Sequence, residues 1–218
     1  MKDKEEIKHY SPLEEKINIS SHAIGLILSI IGLALLVSRA NSYGNIWHVV
    51  SFSVFGASLV ALYAASTFYH STNEPVLRNK LRILDHAAIY ILIAGTYTPF
   101  TLIMLDGSIG WIIFGASWGM ALTGIILKLF FTGKYDVIST LMYVFMGWII
   151  IFAIKPLVHN LSYDGLVWLV AGGLAYTFGA ILYGIKKIKF NHAIFHIFVL
   201  IGSFSHFMSV YFYVLPSK

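Results

Sequence analysis

The sequence contains no cysteine, and charged residues make up only 11% of its 218 positions. Without cysteine, neither a disulfide bond nor a thiolate-ligated metal site can form. Soluble domains carry roughly 25% charged residues, so a chain that is 58% hydrophobic is typical of polytopic membrane proteins. The chain has only five prolines, and no Pro- or Ser-rich segment divides it. We therefore predict a single membrane domain.

Long hydrophobic runs indicate seven helices that can each cross a bilayer core, which requires about 20 helical residues. Their length and continuity favour helices over a barrel, so the predicted fold is an all-α, seven-helix transmembrane bundle. Residues 1–18, too charged for a signal-peptide core, are predicted to form a cytoplasmic tail, and residues 19–215 the membrane domain. The predicted spans lie near residues 19–38, 47–70, 82–105, 109–131, 137–154, 164–185 and 191–213.

Lysine and arginine are divided unevenly between the two predicted sides of the membrane. If the N-terminus lies inside, twelve of these fifteen residues lie on the inner side, and only Arg39, Lys155 and Lys218 lie outside. Because basic residues favour the cytoplasmic side, we predict an N-in, C-out protein of the cell membrane. The net charge of +5 then reflects topology and contact with anionic lipid headgroups, and it does not indicate nucleic-acid binding.

In this topology, polar residues from three helices that are distant in sequence lie at one depth. The second span ends with ASTFYH, the third starts with LRILDHAAIY, and the seventh starts with NHAIFH. At a rise of 1.5 Å per residue, the polar groups in these segments fall within about 5–12 Å of the inner charged boundary. They are Ser66, His70, Asp85, His192 and His196.

His192 and His196 are four residues apart, so their imidazoles lie on one helical face and can bind one ion. With His70 they would supply three nitrogen ligands of a tetrahedral zinc site whose fourth position holds water. Interhelical hydrogen bonds are the common alternative for such a pair. The segment HAIFH lacks the glutamate of HExxH metalloproteases, which argues against that class.

Asp85 is the only acidic residue well inside a predicted span. A buried carboxylate is costly without a charge partner, and a bound ion would provide one. We predict that Asp85 orients the attacking water or accepts its proton, and that Ser66 hydrogen-bonds the substrate or Asp85. Three further histidines are interpreted first as hydrogen-bonding or packing residues, with a ligand role for His22 and a cavity-lining position for His206 left open: His22, His86 and His206.

Three segments resemble the hemolysin III family, the bacterial branch of the progestin and adipoQ receptor group: STFYH (66–70), LDHAAIYILIAGTYTPF (84–100) and HAIFHIFVLIGSFSHF (192–207). This group is similar to alkaline ceramidases within a larger superfamily of membrane-embedded, metal-dependent hydrolases. The resemblance implies that His70, His192 and His196 hold zinc and that Asp85 contacts the zinc-bound water. The serine of the family's SxxxH motif matches Ser66.

Two classes of function remain open on this evidence. The first is zinc-dependent hydrolysis of a lipid amide or ester near the inner leaflet, with the acyl chain lying among the helices. The second is a pore-forming cytolytic protein, or a receptor-like membrane sensor with structural zinc. Polar residues that cluster at one depth favour a site over a conduit. Membrane lipids, including a lipid substrate, are the expected partners.

Overall fold

The computed structural model describes residues 10–105, 107–131 and 136–215, which form helices joined by short connections. Seven of its segments are long and apolar enough to cross a membrane. The chain is therefore an all-α, multi-pass membrane protein, as its composition predicts. Residues 1–9 of the predicted tail lie outside the described residues.

The helices are α1 (Pro12–Tyr43), α2 (Ile46–Ser71), α3 (Pro75–Pro99), α4 (Gly107–Phe131), α5 (Asp136–Trp148), α6 (Ile154–Asn160), α7 (Tyr163–Gly184) and α8 (Asn191–Ser209). Wider π-helical turns, Phe100–Met104 and Val210–Val214, extend α3 and α8. A 3₁₀ segment, Ile149–Ala153, joins α5 and α6 into one broken span.

Capping residues determine where the helices begin. Ser11 accepts a hydrogen bond from the Glu14 N–H at 3.3 Å, and Pro12 occupies the first helical position. Both residue types favour a helix start, so α1 begins at Pro12 rather than near residue 19 as predicted. Glu74 caps α3 in the same way, accepting from two backbone N–H groups at 2.6 and 2.9 Å. These bonds hold the pKa of the exposed Glu74 carboxyl below its usual range.

The fifth span is interrupted, and a side chain from α3 satisfies the backbone at the interruption. The Tyr97 hydroxyl donates to the Gly147 carbonyl at 2.8 Å and accepts from the Ile150 N–H at 3.1 Å. Backbone groups released from a helix need such partners within a bilayer. Pro156 lies in the first turn of α6, where its missing N–H costs little, so the span continues past its predicted end to Asn160.

The helices close into a ring. In order around this ring, α1, α2, α3, α5, α7 and α8 pack against one another, and α8 returns to contact α1. Successive spans run in opposite directions because their connections are short. The start of α1, the end of α2 and the starts of α3 and α8 therefore meet at one end of the bundle. That end carries all five of the predicted site residues.

Candidate metal centre

Three histidines from two helices converge at this end of the bundle. His70 lies in the last turn of α2, and His192 and His196 lie one turn apart at the start of α8. The Nε2 atom of His192 is 3.1 Å from Nε2 of His70 and 3.1 Å from Nε2 of His196. All three side chains are buried, and one nitrogen from each lies within 4.8 Å of the others.

Two of the three nitrogen–nitrogen distances can be compared with those of a zinc site. A tetrahedral zinc ion about 2.0–2.1 Å from each nitrogen would place its ligand nitrogens about 3.3 Å apart, close to the two distances of 3.1 Å. The three histidines could thus hold a metal ion, as the sequence predicts. Three neutral imidazoles leave a fourth position for water or substrate, which is the donor set of catalytic rather than closed structural zinc sites.

The ring nitrogen of His70 that faces away from the other two histidines also has a partner. Its Nδ1 atom is 2.7 Å from Oε2 of Glu15, in the first turn of α1. The other Glu15 oxygen accepts a hydrogen bond from Arg78, whose side chain is only 1% exposed. Arg78 also donates to the Thr72 carbonyl at 2.9 Å, just beyond the end of α2. Glu15 and Arg78 therefore link α1, α2 and α3 on the side of His70 that faces away from the other two histidines.

The other two histidines are covered by aromatic rings from the same part of the chain. Tyr10 stacks on His192, with ring centroids 4.6 Å apart, and His22 stacks on His196 at 3.6 Å. His22 is buried in α1, where the sequence favoured a hydrogen-bonding role over a ligand role. Burial, with smaller contributions from neighbouring phenols and carboxylates, raises the pKa of Tyr10 above its usual range.

The two predicted catalytic residues occupy different positions. Asp85 lines the same cavity as His192 and His196, and its Oδ2 atom is 3.7 Å from Nδ1 of His86. Ser66 lies one turn before His70 and is fully buried. Among the described residues, its hydroxyl has no hydrogen-bond partner. Asp85 therefore lines the cavity beside the histidines, whereas Ser66 is buried in α2 and is not among the residues that line this cavity.

The cavity that adjoins the histidines has a volume of about 140 Å³ and extends away from them into the bundle. Its walls are mainly apolar and include Leu62, Ile89 and Val199, while Tyr97 and His206 lie further along it. Since His206 follows His196 by ten residues on one helix, the two lie about 15 Å apart along the axis. The cavity thus runs for about this length along α8, with mainly apolar walls and the histidines at one end.

The remaining histidines of this region make protein contacts. His206 donates from Nε2 to the Leu169 carbonyl of α7 at 3.1 Å, which is the interhelical hydrogen bond expected for it. His86 donates from Nδ1 to the Arg82 carbonyl one turn earlier at 2.8 Å. Neither residue belongs to the group of converging histidines.

The contribution of residues 10–22 was not predicted from the sequence. A charged segment before the first apolar run resembles a tail, so no site role was predicted for Tyr10 or Glu15, and a hydrogen-bonding role was favoured for His22. The Ser-Pro pair at residues 11 and 12 is a signal that could have corrected this, because it marks a helix start. Glu15 and His22 are then seven residues apart, which places them on one face of α1.

Comparisons with known proteins agree with this architecture. A family model described as "Haemolysin-III related" matches residues 10–207. "Hemolysin-3" of Bacillus cereus is 50% identical over 204 residues, which cover 94% of this chain and 93% of that protein. "Hemolysin-3 homolog" of Bacillus subtilis is 46% identical over 200 residues, 92% of this chain and 94% of that protein.

A more distant relative comes from animals. The human "Monocyte to macrophage differentiation factor" is 28% identical over 216 residues, which cover 94% of this chain and 86% of that protein. The range that the family model matches includes Glu15, the three converging histidines and Asp85. On the extent of these matches, the chain belongs to the haemolysin III family of multi-pass membrane proteins.

Proposed function

We propose that this protein is a zinc-dependent hydrolase that cleaves an amide or ester bond in a membrane lipid. The observation that carries the proposal is the position of the three histidines. They lie buried at one end of a mainly apolar cavity whose wall also holds the Asp85 carboxylate. An acyl segment of a lipid would lie among apolar side chains in such a cavity, and its polar linkage would then lie beside the histidines.

The chain's own residues have distinct roles in this reaction. His70, His192 and His196 hold the ion. When bound, zinc supplies a Lewis acid that polarises a carbonyl group and lowers the pKa of a water molecule. Asp85 orients the attacking water and accepts its proton as the water oxygen bonds to the acyl carbon. That proton then passes to the amine or alcohol as the carbon–nitrogen or carbon–oxygen bond breaks.

The histidines provide the first test, which needs no knowledge of the lipid. Purified protein should contain one zinc ion per chain by elemental mass spectrometry, and replacing all three histidines with alanine should remove it. His159, exposed at the end of α6, provides the matched control, because His159→Ala should leave the zinc content unchanged. Zinc content that survives loss of all three histidines would refute the assignment of the site.

The activity itself requires a screen of lipid amides and esters with the zinc-loaded protein. We expect at least one class of lipid to be hydrolysed, and the triple-alanine variant to be inactive on it. A zinc-loaded protein with a fourth protein ligand, and no turnover across the screen, would instead indicate a structural ion in a receptor-like sensor.

Cytolysis is the second candidate, and it rests on the name of the Bacillus cereus relative, "Hemolysin-3". A pore would release a dye from lipid vesicles whether or not zinc is bound. A hydrolase would release dye only as its lipid is consumed, so the triple-alanine variant should be inactive in both assays. Dye release by that variant would favour the pore.

A further inference from the structure

The hydrogen bond between His70 and Glu15 determines which nitrogen of His70 is free. Nδ1 of His70 lies 2.7 Å from a Glu15 carboxylate oxygen. An ionised carboxylate can only accept a hydrogen bond, so Nδ1 must carry the hydrogen. Nε2 of the neutral ring then keeps its lone pair, and this is the atom that faces His192 at 3.1 Å. The tautomer set by Glu15 is the one that can bind a metal ion through Nε2.

Arg78 holds Glu15 in position. It donates to the second carboxylate oxygen of Glu15, and it also donates to the carbonyls of Thr72 at 2.9 Å and Tyr69 at 3.4 Å. Tyr69 and Thr72 flank His70 at the end of α2. One guanidinium group therefore fixes both the carboxylate that orients His70 and the backbone that carries it. Its planar set of donors suits this task better than a lysine ammonium group would.

Glu15 itself is not placed as a ligand. One of its oxygens is bound to His70 and the other to Arg78, on the side of the imidazole away from His192 and His196. Histidines that bind metals commonly donate their other N–H to a carboxylate, which fixes the orientation of the ring and raises its basicity. The Glu15–His70 contact has this geometry.

We propose that Glu15, held by Arg78, is a positioning residue of the metal centre. It fixes the tautomer and orientation of His70 and thereby raises the affinity of the three histidines for a metal ion. This inference rests on the metal-binding part of the proposed function, and it is independent of the lipid or the reaction. It also assigns a role at the metal centre to the first turns of α1, whose charged residues alone do not indicate one.

Zinc affinity tests this inference directly. The purified full-length protein would be titrated with zinc against a chelator of known affinity. Removing such a carboxylate partner typically weakens metal binding 10–100-fold, and we expect a loss of this size for Glu15→Ala. Glu15→Gln should lose less, because its amide oxygen can still accept from Nδ1 while the charge is gone.

Glu14→Gln is the matched control. It removes the same charge from the adjacent position, and Glu14 makes no contact with the three histidines among the described hydrogen bonds. We expect its zinc affinity to stay within about threefold of the parent protein. Equal losses for Glu14→Gln and Glu15→Gln would show a general charge effect and overturn the proposal.

A structural role for Glu15 predicts a different pattern. If Glu15 served only to join three helices, Glu15→Ala would lower the melting temperature of the metal-free protein and leave zinc affinity unchanged. That result would overturn the proposal but not the metal centre. A parent protein that binds no zinc would instead refute the proposed function.

The tautomer provides a readout that needs no metal. In metal-free protein labelled with ¹⁵N-histidine, the nitrogen resonances of His70, assigned by comparison with His70→Gln, should show a protonated Nδ1. In Glu15→Ala this preference should weaken. A parent protein whose His70 carries its hydrogen on Nε2 would contradict the inference whatever the zinc affinity.

Discussion

Asp85 is a carboxylate in surroundings that ordinarily exclude one. Its side chain is 11% exposed, and the cavity beside it is mainly apolar. The nearby His86 ring is 3.7 Å away, too far for a hydrogen bond. In the proposed site, the three histidines already supply the protein ligands of the metal ion. A carboxylate at position 85 therefore suits the handling of a water molecule better than direct coordination of the ion.

The substitution Asp85→Asn tests that role. Asparagine has the same size but cannot accept a proton, so turnover should fall by the roughly 10²–10⁴-fold that a general base contributes. Bound zinc and folding should be largely preserved, because three histidines remain. Turnover would be measured on the lipid identified by the screen, with zinc content determined on the same sample.

Two other results would assign a different role to Asp85. Normal turnover by zinc-loaded Asp85→Asn protein would remove Asp85 from the mechanism. Loss of zinc or of thermal stability would indicate that the carboxylate balances the charge of the ion or pairs with a neighbouring group.

Single residues differ in how far the sequence predicted them. The pair His192 and His196 could be predicted from its spacing on one helix, and His70 from its predicted depth. Glu15 and Tyr10 could not be predicted, because a hydropathy pattern reports which residues suit lipid and does not report where a helix begins. The stacking of His22 on His196 depends on how α1 crosses α8, which no local pattern contains.

At the scale of the helices, packing depends on close approach at glycine. A β-carbon added at Gly25 of α1 would lie 2.6 Å from the Tyr63 ring of α2 and 2.9 Å from Leu200 of α8. Small residues allow this approach between membrane helices. At Gly119 of α4, by contrast, an added β-carbon would meet nothing within 4 Å.

These two glycines form a matched pair for stability measurements. Gly25→Ala should destabilise the protein by about 1–3 kcal/mol, the usual cost of overpacking. Gly119→Ala should change stability by no more than about 1 kcal/mol, the difference in helix propensity. Unfolding in detergent, followed by circular dichroism, would measure both. Equal effects would show that the contact between α1, α2 and α8 is looser than described.

The broken fifth span illustrates what helix-scale patterns leave out. Its hydropathy is high enough for a membrane crossing, and Pro156 suggested an end near residue 154. The regular helix ends earlier, at Trp148, and the span ends later, at Asn160. Tyr97 makes the interruption possible by bonding to both sides of it. Since Tyr97 lies in α3, this partnership depends on tertiary contacts that the local sequence of the fifth span does not specify.

At the scale of the whole molecule, alternation of helix direction places the candidate site at one end of the bundle. Glu15, His70 and His192 meet because each lies near the same end of its own helix, and Asp85, further along α3, lines the cavity that His192 borders. Seven spans of sufficient length could be predicted from hydropathy, and so could the shared depth of His70, Asp85 and His192, whereas the contribution of Glu15 could not. Which side of the membrane that end faces depends on charge rather than on packing.

The basic residues predict that the site faces the cytoplasm. Twelve of fifteen lysines and arginines lie on the inner side if the N-terminus is inside, and such an excess sets orientation in most membrane proteins. Because the chain has no cysteine, single cysteines can report the side of each loop. In intact cells, a membrane-impermeant maleimide should label Tyr163→Cys, at the exposed start of α7. It should label Lys187→Cys, in the exposed connection before α8, only after the cells are opened. The reverse pattern would place the C-terminus inside and move the histidines to the outer leaflet.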